Sequence, residues 1–362
     1  MGIILFLIIL LVLVISHEFG HFIVAKLFKI RVDEFAFGFP PRIFAKKFGE
    51  TQYAFNALPL GGYVKIYGEN PNDVHDEDRG RSFGAQARWK QASVIVAGVV
   101  FNLLLAWILL SVIFLIGAPM LKDNDQGYVV SNPRLTVTGV APQGPAELAG
   151  IKEGDIIVSL GEGGAIKEVT SGDEVQSFIG LREGKEITLT VERERGLVSL
   201  PVVPSASIVP GKIAIGIYMD QVGVVKLPII DALTQGAKRT WQYTVLTADG
   251  IFTFLSTAIV GKSDFTQVTG PVGIVNAVGN AAEHGYTNVI LFTALISINL
   301  AIINLIPFPA LDGGRLLFVL IESVIRKPIP VRIANLMNVS GFALLMLLML
   351  LVTYHDIVRL FS

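Results

Sequence analysis

Ser16-His17-Glu18-Phe19-Gly20-His21 continues an apolar run, Ile3 to Ile15, that holds no charged residue. Extended as one helix, it carries two imidazoles and a carboxylate into hydrocarbon, where ionisable groups are costly and mark functional sites. Residues four apart share a helix face, so His17 and His21 point at one ion while Glu18, about 100° round the axis, reaches a water beside it. Two imidazoles suit Zn2+ and leave positions for a third protein ligand and for water. The alternative, a pair of packed core histidines, suits a lone histidine better than this trio.

The chain has 362 residues, 52% hydrophobic and 16% charged, with mean hydropathy +0.61. That is more apolar and less charged than a soluble domain and fits a polytopic α-helical membrane protein. A net charge of −1 gives no basic field for nucleic acid. With no cysteine there is no disulfide, thiolate nucleophile or Cys-ligated metal, so any metal rests on His, Asp or Glu. The first apolar run lacks a basic region before Lys26 and a small-residue cleavage pattern, and is expected to be retained rather than removed as a signal peptide.

Residues 1–25 form the first of four expected transmembrane helices. Residues 26–91 carry a dense Lys/Arg set, including Lys26, Lys29, Arg31, Lys46, Lys47, Arg88 and Lys90, which places them in the cytoplasm and the N-terminus outside. Within them Phe35-Ala36-Phe37-Gly38-Phe39, Tyr53-Ala54-Phe55-Asn56 and Pro59-Leu60-Gly61-Gly62-Tyr63-Val64 read as short strands of a membrane-associated β-hairpin region. The acidic run Asn70 to Arg81 reads as a solvated loop with His75 at the surface. Residues 92–119 form the second span, in which Asn102 must find a partner inside the bundle.

Residues 122–221 change character: Leu135 to Thr138, Asp155 to Val158 and Ile187 to Val191 are strand-like between Gly-rich turns. In residues 222–286, Asp231, Lys238, Arg239, Gln242 and Asp249 interrupt every apolar window, which favours an amphipathic segment on the lipid surface and four spans over five. Gly270-Pro271-Val272-Gly273 marks a turn before a small-residue helix, and His284 reads as a surface residue. Residues 287–314 form the third span, with Asn299 and Asn304 inside it, Asp312 at its end, and Pro307 and Pro309 breaking or kinking it. Arg326, Lys327 and Arg332 face the cytoplasm, and residues 334–354 form the fourth span, with His355 and Asp356 as interfacial residues outside. By this topology His17 lies roughly 20 Å along the first helix, in its cytoplasmic half, and Asp312 reaches a comparable depth from the third.

Val140 to Ile157, with Pro145-Ala146, Ala149-Gly150 and Gly154-Asp155-Ile156-Ile157, resembles the PDZ domain, an α+β fold inserted here between spans. The resemblance implies a peptide or chain-terminus ligand added to an exposed edge strand, Ile213 to Ile217, with contacts at Ile215, Gly216 and Ile217. The alternative is a PDZ-like fold that only blocks access.

Taken in order, the His17-Glu18-Phe19-Gly20-His21 helix, this insert, Gly270 to Gly273 and Asn304-Leu305-Ile306-Pro307-Phe308-Pro309-Ala310-Leu311-Asp312-Gly313-Gly314 resemble the site-2 protease family of intramembrane zinc metalloproteases, in the branch of the bacterial regulator of sigma-E protease. The resemblance implies Zn2+ held by His17, His21 and Asp312, with Glu18 as catalytic base. It assigns Asn299 and Asn304 to the substrate backbone, and Gly61 and Gly62 to a membrane-dipping hairpin that lines the site. Val99 departs from a proline common in relatives, and one PDZ-like domain is visible where some relatives carry two. The implied activity is peptide-bond hydrolysis in membrane-embedded single-span substrates, in a bacterial inner membrane with both termini and the PDZ-like domain extracytoplasmic. Rival readings are a non-catalytic scaffold or quality-control receptor and a metal transporter, the latter disfavoured by the wholly apolar outer half of the first helix.

Overall fold

The computed structural model describes residues 2–69, 76–123, 128–193, 196–209, 212–261, 269–283 and 285–361. His75, residues 70–75 of the acidic run, and His284 lie outside the described residues. The chain forms two compact units, one of Met1–Ile113 with Ile230–Ser362 and one of Phe114–Ile229.

In the first unit, helix α1 (Gly2–Leu27) takes in the whole N-terminal run and carries Lys26 in its last turn, a cation suited to the negative end of the helix dipole. Strands β1 (Val32–Phe48) and β2 (Thr51–Ile66) follow as one sheet. Both are bent, so Phe35 pairs with Val64 on one side and Tyr53 on the other, while Phe44 pairs with Phe55. The register therefore leaves residues 62–66 along one side of the sheet. All three strand segments expected in this loop lie within it.

Helix α2 (Arg88–Ile116) begins earlier than expected and stops where Gly117 turns to φ +132. Residues 118 and 119, expected in the span, instead open β3 (Ala118–Leu121) of the second unit. That unit continues through β4 (Ser131–Val140), α3 (Pro145–Leu148), β5 (Ile156–Glu162), β6 (Ala165–Glu168), α4 (Gly172–Gly180), β7 (Ile187–Arg193), β8 (Gly196–Val202), β9 (Ser205–Val209), β10 (Lys212–Ala214) and β11 (Ile217–Val225). The main sheet has the order β3-β11-β4-β5-β7-β8, with β6 on β5 and a separate β9–β10 pair. The three sequence-predicted strands fall in β4, β5 and β7. Alternation buries Ile187, Leu189 and Val191 on one face of β7, against Leu160, Val175 and Ile179. Burial of each such side chain contributes about 1.5–3 kcal/mol.

The expected edge strand Ile213 to Ile217 does not form. Gly216 at φ +85 breaks it, so residues 212–214 pair with β9 and β11 starts at Ile217. Ile215 is buried and its carbonyl accepts the Ala146 N–H, the Gly216 carbonyl accepts the Ala141 N–H, and Ile217 pairs with Val140. Ile215 and Gly216 are thus engaged within the fold, while Ile217 opens β11 with β4 on one side only.

The first unit resumes with α5 (Ile229–Ile259), a single 31-residue helix, then α6 (Pro271–Glu283), whose leading proline suits a first helical position. Next come α7 (Tyr286–Leu305), α8 (Asp312–Ile325) and α9 (Val331–Phe361). Among the described residues, α1, α2, α7 and α9 are the four helices long and apolar enough to cross a membrane; α5 is not one of them. The third span is shorter than expected: α7 ends at Leu305, since Pro307 and Pro309 cannot donate backbone bonds, and Asp312 opens a separate helix. Asp356 is buried and accepts the Gly270 and Gly273 N–H groups at 3.2 and 2.9 Å, capping α6 from α9.

Candidate metal centre

His17 and His21 are both buried on one face of α1, their Nε2 atoms 3.2 Å apart. That face packs on α2, and two glycines permit the approach. A Cβ at Gly20 would lie 2.4 Å from the Ala97 carbonyl oxygen, and one at Gly98 would lie 2.5 Å from His21 Nε2 and 2.7 Å from His17 Cε1. The His21 Nδ1–H donates to the Val94 carbonyl at 2.8 Å, which leaves the Nε2 lone pair free. Asn102, which needed a partner inside the bundle, has its amide 3.1 Å from His17 Nδ1.

The third member arrives from α8. Gly313 and Gly314 let the first turn of this helix fold back onto residues 305–309, since a Cβ on either would meet backbone oxygen at 2.2 Å. Asp312, as first residue of the helix, benefits from the positive end of the dipole. Its Oδ2 lies 3.0 Å from His17 Nε2 and 3.2 Å from His21 Nε2. His17, His21 and Asp312 are the one group of His, Cys, Asp or Glu among the described residues that could hold a metal ion. Tetrahedral Zn2+ with N and O ligands at 2.0–2.1 Å separates its donors by about 3.3 Å, so this donor set fits the ion.

A cavity of about 330 Å3 opens onto the three, lined also by Glu18, Gly62, Tyr63, Glu69 and Arg315. Arg315 of α8 and Glu69, just beyond β2, form an ion pair there. Gly62 permits close approach of the sheet, since its Cβ would stand 3.4 Å from Glu18 Cγ and 2.8 Å from Val14 Cγ1. The structure thus brings His17, His21, Asp312, Glu18 and Gly62 together. It does not bring Gly61, Asn299 or Asn304 to the cavity lining. The Asn299 side chain is exposed and bonds its own helix at Leu295 O, 3.0 Å away, and Asn304 is half-buried. Sequence reading missed Val94, Gly98, Glu69 and Arg315. The spacing Val94-x-x-x-Gly98-x-x-x-Asn102 was a legible signal, since residues four apart line one helix face.

The model of peptidase family M50 matches residues 5–348. A Clostridium perfringens protein named provisionally as a zinc metalloprotease is 36% identical over 351 residues, covering 96% of this chain and 95% of its own. The regulator of sigma-W protease RasP of Bacillus subtilis is 31% identical, covering 98% of each chain. The zinc metalloprotease RasP of Geobacillus kaustophilus is 30% identical, covering 99% of this chain and 98% of its own. With a family match along almost its whole length and relatives collinear with it from end to end, the chain belongs to peptidase family M50.

Proposed function

We propose that this chain is a multi-pass inner-membrane zinc endopeptidase that hydrolyses peptide bonds in single-span membrane proteins, of the anti-sigma-factor or signal-peptide-remnant type. The observation that carries this reading is the convergence of His17 Nε2, His21 Nε2 and Asp312 Oδ2 at one end of a cavity that Glu18 also lines. These three residues would hold zinc, which when bound supplies Lewis-acid polarisation of a carbonyl and acidifies water.

Glu18 acts as general base and then general acid. Its carboxylate takes a proton from the attacking water as the hydroxyl oxygen joins the scissile carbonyl carbon, then passes that proton to the amine as the C–N bond breaks. A helical substrate hides its carbonyls and must unwind locally, which frees backbone groups that lipid cannot satisfy. Residues 62–66, on the outer side of the β1–β2 sheet and partly lining the cavity, offer backbone partners there. Asn299 and Asn304 lie outside the cavity, so a role for them requires substrate bound along α7.

Residues 122–221 serve, in this reading, as an extracytoplasmic PDZ-like filter that excludes intact ectodomains. Among the described residues β3 covers only Val222–Val225 of β11, which leaves the start of that strand for a peptide. Helix α5, with exposed Ile230, Trp241, Leu246 and Phe252 beside Lys238 and Arg239, suits the lipid surface. The test is cleavage of a model single-span substrate in detergent by wild type, Glu18→Gln and Asp312→Ala. Both variants should lose turnover; equal activity in all three refutes the assignment, and unchanged function of Glu18→Gln in cells favours a scaffold.

A further inference from the structure

We propose that Asn102 is a positioning residue for the metal centre: its amide oxygen accepts the His17 Nδ1–H and so holds the Nε2 lone pair toward the ion. The inference rests on the reading of His17 as a ligand. A neutral imidazole carries one proton, and His17 can ligate through Nε2 only if that proton sits on Nδ1. Something must accept it there.

Asn102 is 0% exposed and its amide is 3.1 Å from Nδ1. With the amide nitrogen on His17, the amide oxygen is buried without a hydrogen-bond partner. Amide nitrogen and oxygen have nearly the same shape, and a half-turn of the group sets the oxygen on the Nδ1–H instead. The backbone of the residue has its own partner, Ser297 Oγ of α7, which donates to the Asn102 carbonyl oxygen at 2.7 Å and leaves the side-chain amide to His17. The neighbouring ligand shows the same logic, with His21 Nδ1–H donating to Val94 O at 2.8 Å. Val94, Gly98 and Asn102 recur every four residues, so one stripe of α2 sets both tautomers, and the glycine between leaves room for both rings.

The test measures Zn2+ affinity of the full-length chain in detergent by competition with a chelator. Asn102→Leu keeps the size and removes the acceptor; it should weaken binding by about 10–100-fold, as loss of a group orienting a ligand does. Asn102→Asp as a carboxylate accepts and does not donate, and should bind Zn2+ at least as tightly as wild type. A tenfold loss in the Asp variant overturns the proposal, since it would mean that Asn102 donates, and this arm stands even if the Leu variant does not fold. Wild-type affinity in the Leu variant also overturns it. Ser297→Ala, which cuts the bond to the backbone of Asn102 and spares the amide, should bind as wild type; a loss matching that of Asn102→Leu would assign the effect to helix packing and overturn the proposal. His17→Ala forms a separate arm: it should lose the metal, and unchanged affinity there refutes the ligand reading itself, whatever Asn102 does.

Discussion

Asp356, near the end of α9, accepts the N–H of Gly273 at 2.9 Å across 83 residues of sequence. It also accepts that of Gly270, so one carboxylate fills two of the donor positions that a helix N-terminus leaves open. The glycines are part of the device, because a Cβ on Gly270 would stand 2.7 Å from Asp356 Oδ2. Helix α6 in turn packs on α1, where Val278 meets Ile9 and Leu13. Asp356→Ala should cost about 1–2 kcal/mol, the range for a lost N-cap, with the residues around 270 becoming more accessible to protease. An unchanged thermal midpoint and digestion pattern would show the contact to be idle.

Gly98 is required for a different reason, the space its missing side chain leaves for two imidazoles. Gly98→Ala should therefore abolish metal retention, read as zinc content of the purified chain. Gly250→Ala on α5, where a Cβ would meet nothing within 4 Å, should be neutral or stabilise by up to about 1 kcal/mol. Equal zinc content in the two variants would contradict the close packing of α1 on α2.

Metal removal gives a reversible counterpart. Dialysis against a chelator should abolish cleavage of a single-span substrate, and Zn2+ should restore it to wild type but not to Asp312→Ala. Restoration of the Asp312→Ala variant would remove that carboxylate from the donor set.

Glu50 ties the β1–β2 turn to its surroundings, with Lys26 at 2.7 Å and Arg81 at 2.7 Å. The hydrogen bond from Lys26, joined by that from Arg81, holds its carboxyl below the ordinary value of 4.5. A depressed folded-state pKa stabilises the protein above the unfolded value, and the contribution fades as pH falls through the folded one. Both cations are partly solvated, so the effect is about 1 kcal/mol or less. The thermal midpoint of wild type should exceed that of Glu50→Gln at pH 7, and the gap should narrow below pH 4.5. A gap independent of pH would locate the effect elsewhere.

The second unit can be shortened cleanly. Lys122 N–H donates to Gln221 O at 2.8 Å, so the cut ends of a deletion of residues 124–220 are already adjacent, and β3 stays paired with Val222–Val225. This variant should cleave single-span substrates with or without a bulky ectodomain. Continued rejection of the intact ectodomain would sink the filter reading.

Sequence alone determined the elements whose signals are local. The length and apolarity of the spans, the i, i+4 histidines with Glu18, the strands at 35–39 and 187–191 and the helix break at Pro307 all follow from neighbouring residues, and so does the absence of cysteine ligands. Other features had no local signal, and tertiary structure decided them. The partners of Asp356 lie 83 residues or more away, so its capping role left no local trace, and Ile213 to Ile217 looked like one strand because its pattern does not reveal the left-handed turn at Gly216. Asp312 was a candidate ligand by depth, but only the fold of Gly313-Gly314 against residues 305–309 brings its oxygen to 3.0 Å from His17. Asn102 was legible as a polar group in need of a partner, and which partner it takes is fixed by how α1 crosses α2 at Gly20 and Gly98. A sequence records which groups must be satisfied, and chain packing alone decides by whom.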